Sequence, residues 1–91
     1  MDEAPNPHLR RAILEVVDNQ LRDGTPPETR ATLDRLLAEG HTRQAAIELI
    51  AGVVATEIFQ VMKSGKPFDE GRFVAALRAL LKPSWGDAEQ E

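Results

Sequence analysis

Apolar positions recur at helical spacing in four separate stretches of the chain, and nowhere do they alternate long enough to suggest a strand. Leu9, Ile13, Val16, Val17 and Leu21, widened by Leu14, fall on one side of a helix expected from about Pro7 to Arg22, because residues three and four apart share a helix face. Arg11, Glu15, Asp18 and Arg22 take the other side. Asp23-Gly24 ends this helix, and Thr25-Pro26-Pro27-Glu28 predicts the next start. There Thr25 serves as cap, Pro26 as first helical residue and Glu28 as the far half of a capping box. Leu33, Leu36 and Leu37 form the apolar edge of the second helix, which should stop at Gly40.

The third helix, expected from about Thr42 to Lys63, is apolar on nearly every side and should therefore be central. Ile47, Ile50, Val54, Ile58 and Val61 lie on one side, with Leu49, Val53 and Phe59 elsewhere. Its thinner face carries Gln44, Glu48, Ala51, Gly52 and Ala55, small enough in part for another helix to approach closely. A fourth helix should follow Asp69, with Phe68 and Phe73 in the two positions of a hydrophobic staple. Phe73, Leu77, Leu80 and Leu81 make its inward stripe, and Pro83 should end it. The expected fold is all-α: a compact antiparallel four-helix bundle over residues 7–82, joined by short links. A flexible N-terminus (1–6) precedes it, and a short disordered acidic tail (83–91) follows, with Trp85 folding back onto the body.

Composition narrows the function classes. The 91 residues suit a single domain, and 42% hydrophobic with 29% charged is the balance of an ordinary folded protein. The absence of cysteine excludes disulfides, thiolate metal sites and a cysteine nucleophile. A formal charge of −4, with arginines interleaved among acids, disfavours nucleic acid, which selects a basic face. The acidic start Met1-Asp2-Glu3-Ala4-Pro5 has no apolar core of a signal peptide. Glu48, Thr56, Glu57 and Gln60 make the segment from Ala45 to Met62 too polar for a membrane span. The expectation is a cytoplasmic protein of bacterial type with no membrane partner.

Candidate chemistry is sparse. His8 and His41 lack the spacing that sets two ligands on one helix face, so no metal and no cofactor are expected. Ser64 and Ser84 lack a nucleophile elbow, and Ser64-Gly65-Lys66-Pro67 lacks the rest of a phosphate-binding loop, so no catalytic residue is assigned. Two polar side chains interrupt apolar faces. Glu48 on the third helix needs a basic partner or an opening, with a structural salt bridge favoured. Gln20 on the first projects from the apolar arc, and backbone groups near the second helix's start are its expected partners.

Asn6-Pro7-His8-Leu9, Asp18-Asn19-Gln20-Leu21, Pro26-Pro27-Glu28-Thr29-Arg30, Arg35-Leu36-Leu37-Ala38-Glu39-Gly40 and Arg43-Gln44-Ala45-Ala46-Ile47 together resemble a family of small all-helical bacterial proteins of unknown function. The resemblance covers roughly residues 6 to 81. Other members carry H-x-x-x-H on the first helix and R-H-E-A-x-H on the third, four histidines that suggest a metal site. This chain departs at all four positions, with Arg10, Leu14, Gln44 and Glu48 there, so the metal chemistry does not carry over. An Arg10–Glu48 ion pair is expected in its place.

Two functional expectations follow. The first is a non-enzymatic interaction or structural module acting as a homodimer through Leu14, Leu49, Ala51, Gly52, Val53, Ala55 and Phe59. An uncovered apolar patch of this kind usually becomes an interface. The alternative is a ligand- or metal-binding bundle with a degenerate histidine site. Its polar pocket, between the first and third helices, is lined by Arg10, Gln20, Gln44 and Glu48 and suits a small polar or anionic ligand of unknown identity.

Overall fold

The computed structural model describes residues 7–80, and these form four helices around one core: α1 (Pro7–Asp23), α2 (Pro27–Ala38), α3 (Arg43–Ser64) and α4 (Glu70–Ala79). No strand occurs among the described residues. The segments expected to be flexible (1–6) and tail-like (83–91), with Leu81 and Trp85, lie outside them.

Local signals set most helix ends. Gly24 and Gly65 take left-handed backbone (φ 74° and 73°), and their N–H groups donate to the Gln20 and Val61 carbonyls at 2.8 Å, closing α1 and α3. The Thr42 hydroxyl accepts from the Ala45 N–H at 3.0 Å, and an Asp69 carboxylate oxygen accepts from the Arg72 N–H at 3.1 Å, so both capped starts form where expected. Phe68 and Phe73 form the staple, their ring centroids 5.8 Å apart.

Two ends differ from expectation. α2 begins at Pro27, one residue late, and Thr25 does not cap it; Pro26 is the N-cap, extended at φ −72°, ψ 152°, with no side-chain capping bond. The reason is steric: a proline pushes the residue before it out of helical geometry, and Pro27 does this to Pro26. Glu28, released from a capping box, lies 3.4 Å from the Arg78 guanidinium on α4. α4 ends at Ala79, with Leu80 already extended, well before Pro83. Arg35 on α2 reaches across to donate to the Leu80 carbonyl at 2.7 Å and the Leu77 carbonyl at 3.4 Å. Carbonyls at the end of α4 that lack helical partners thereby gain a charged donor from another helix.

α3 touches all three other helices, α2 touches the other three as well, and α1 and α4 do not touch each other. The core is built from Val17 of α1, Leu33 and Leu36 of α2, Ile50 of α3, and Phe73 and Leu77 of α4, all essentially without solvent exposure. Each such side chain contributes about 1.5–3 kcal/mol of burial. Contrary to the expectation from sequence, Glu48, Thr56, Glu57 and Gln60 do not make α3 too polar for a membrane span; by length and composition it is the one helix among the described residues long and apolar enough to cross a membrane. Here it gives Ala46, Ile50, Ala51, Val53 and Val54 to the core and is flanked by its neighbours.

Gln20 fastens α1 to α2. Its amide oxygen accepts from the Thr29 hydroxyl at 2.8 Å, a side-chain partner where backbone groups were expected. Thr29 is fully buried, so this hydroxyl has no water to turn to. Replacing Thr29 by Val keeps the shape, removes the donor, and should lower stability by about 1 kcal/mol in urea denaturation.

Candidate functional site

The thinner face of α3 emerges between α1 and α4, and the polar and apolar candidates divide along it. At its N-terminal end Arg10 of α1 grips Glu48 of α3 in a two-pronged pair, with nitrogen–oxygen distances of 3.0 and 2.5 Å. Both side chains stand partly in water, at 49% and 36% exposure. The hydrogen bonds from Arg10 hold the Glu48 carboxyl below its usual range; partial burial opposes this, and the positive charge of Arg10 adds to it. The same hydrogen bonds and charge raise Arg10.

Gln44 lies beside this pair. Together with Leu14, Arg43 and Ile47 it lines an open groove of about 440 Å³ over the pair. Gln20 is not part of it. Ten residues along α1 separate Gln20 from Arg10, about 15 Å at helical rise, and Gln20 is committed to Thr29. Of the four polar residues expected to line a pocket, three line this groove together with Arg43, and two of those three neutralise each other.

The expected interface residues also sort into distinct roles. Ala51 and Val53 are buried in the core, so they are not free to meet a partner. Leu14, Leu49 and Ala55 are half-buried against that core. Gly52 is exposed, and a Cβ placed on it meets no other atom within 4 Å. Phe59 is 67% exposed, and Met62, which the sequence pattern does not single out, is 74% exposed. Most of the apolar surface of α3 is therefore covered by its own neighbours, leaving the outward stripe through Gly52, Phe59 and Met62.

On either side of Gly52 the surface is hollow. A depression of about 270 Å³ lies toward Leu9 and Ile13 of α1, and one of about 390 Å³ toward Ala76 and Leu80 of α4. Gly52 and Glu48 border both. A glycine inside a helix costs roughly 0.5–1 kcal/mol relative to alanine. Nothing within the described chain uses the space it leaves.

Glu57 is the residue that sequence reasoning passed over. Its side chain is only 8% exposed, and its charged partner among the described residues is the half-exposed Arg72, 3.5 Å away. It makes no hydrogen bond among the described residues. Beyond it, Gln60, Ser64, Lys66 and Asp69 line a polar hollow of about 170 Å³. The signal was present: Glu57, like Glu48, is a carboxylate on an almost wholly apolar helix.

Among the described residues no three His, Asp or Glu side chains gather as metal ligands. The site offers apolar contact area bordered by carboxylates, without a nucleophile held by a base. Family models, curated proteins and solved structures were all compared with this chain, and none matches.

Two substitutions test this arrangement. Because Glu48 is depressed in the folded state, its contribution exists at neutral pH and disappears as pH falls through that depressed value. Glu48→Gln should therefore lower the melting temperature at neutral pH and leave it unchanged in acid. Arg72→Ala leaves the Glu57 carboxylate buried without a counter-charge. The expected loss in urea denaturation is about 1–2 kcal/mol, below that of a fully buried pair because Arg72 stands half in water.

Proposed function

We propose that this chain is a non-enzymatic protein-interaction module that acts as a homodimer, with its four helices in an antiparallel bundle. The observation that carries the reading is the outward face of α3, which exposes Phe59 and Met62 beside the open space over Gly52. Large apolar side chains held in water next to a hollow gain stability when a partner covers both. The short links between helices favour antiparallel neighbours.

The reading takes the chain as a cytoplasmic protein of bacterial type, which its net charge of −4 favours. It also takes it as a divergent relative of the small helical family it resembles, with Arg10, Leu14, Gln44 and Glu48 at that family's histidine positions. The alternative, a polar ligand pocket between α1 and α3, has less support, because the Arg10 guanidinium that would receive an anion is already held by Glu48. Sedimentation equilibrium at micromolar concentration should give twice the 10.0 kDa chain mass. A mass that stays at one chain defeats the reading.

A further inference from the structure

The outward stripe of α3 carries a pattern that is complementary to itself. Glu48, Gly52, Ala55, Thr56, Phe59 and Lys63 lie within an arc of about 100° on α3 at 3.6 residues per turn. They form three pairs about one midpoint: Ala55 with Thr56, Gly52 with Phe59, and Glu48 with Lys63. The inner pair is small, the middle pair joins a hollow to an exposed ring, and the outer pair joins opposite charges. Gly52, Thr56, Phe59 and Lys63 are exposed, so all three pairs have a member in reach of solvent.

We propose that two copies of the chain join by antiparallel packing of α3 on α3, with the two-fold axis passing between Ala55 and Thr56. This rests on the homodimer reading and specifies its surface and register. In that arrangement Phe59 of the partner subunit enters the hollow over Gly52, and the exchange is made twice, as a two-fold axis requires. Glu48 lies opposite Lys63 of the partner subunit. The two hydrogen bonds from Arg10 occupy one lone pair on each Glu48 oxygen and leave the others for that ammonium.

The parallel alternative is worse on each count. It would set Glu48 against Glu48 and Lys63 against Lys63, press the two Phe59 rings on each other, and leave the Gly52 hollows empty. The pattern also gives Gly52 a purpose, since its open space is where the partner's Phe59 sits.

The chain has no cysteine, so introduced thiols report contacts without background. Positions 48 and 63 are fifteen residues apart, about 22 Å along one helix, too far for an intrachain disulfide. A mixture of the Glu48→Cys and Lys63→Cys proteins should form a disulfide-linked dimer under mild oxidation, while neither alone should. Gly52→Trp fills the hollow and should weaken self-association at least tenfold by sedimentation, with helical circular dichroism unchanged. Efficient cross-linking of either single variant alone, or a Gly52→Trp protein that dimerises as before, overturns this register while the homodimer reading stands. A wild-type chain that remains monomeric overturns both.

Discussion

A 22-residue helix with apolar side chains on nearly all sides cannot be stable alone in water, and the need to cover α3 sets the position of every other element. α1 lays Ile13 and Val17 against it, α2 lays Leu33 and Leu36, and α4 lays Phe73 and Leu77. Three helices of 17, 12 and 10 residues cover much of its circumference but not all of it. Because α1 and α4 stop short of each other, one strip of α3 stays outside, and that strip holds the candidate site.

Polar ties work at the edges of this arrangement and select among packings that burial alone would leave close in energy. The Thr29–Gln20 bond sets α1 against α2, Arg35 hooks the end of α4 to α2, and Arg10–Glu48 sets α1 against α3. A net hydrogen bond of about 0.5–1.5 kcal/mol is smaller than the burial of one leucine, so these ties orient what the core holds. The first two also satisfy a group that packing would otherwise strand. The carbonyls of α4 that Arg35 reaches are the clearest instance.

What could be read from the sequence follows the range of the interactions involved. Thr42, Asp69, Gly24 and Gly65 act within a few residues of themselves, and their caps and stops form where the local pattern puts them. The start of α2 is equally local, yet it is the constraint of Pro27 on Pro26, and not the capping tendency of Thr25, that decides it. Longer-range features were harder. Helical periodicity puts Ala51, Val53 and Phe59 on an apolar helix, but only the placement of α1 and α4 decides that the first two are buried and the third exposed. Arg10 and Glu48 were legible as a pair because each stood out from its own surroundings. Glu57 stood out equally, but its partner Arg72 lies on a helix whose approach the pattern of α3 does not encode.

The separation of α1 from α4 has a consequence for the charge that α3 presents. Among the described residues of one chain, Glu48 is paired from α1 and Glu57 from α4. The flanking helices therefore act as separate counter-ions for opposite faces of one helix, since nine residues place Glu57 about half a turn of azimuth from Glu48. Loosening of α1 uncovers negative charge beside the outward strip, whereas loosening of α4 uncovers the Glu57 charge on the face turned away from it. The polarity of each face of α3 is thus tied to the seating of the neighbour that covers it.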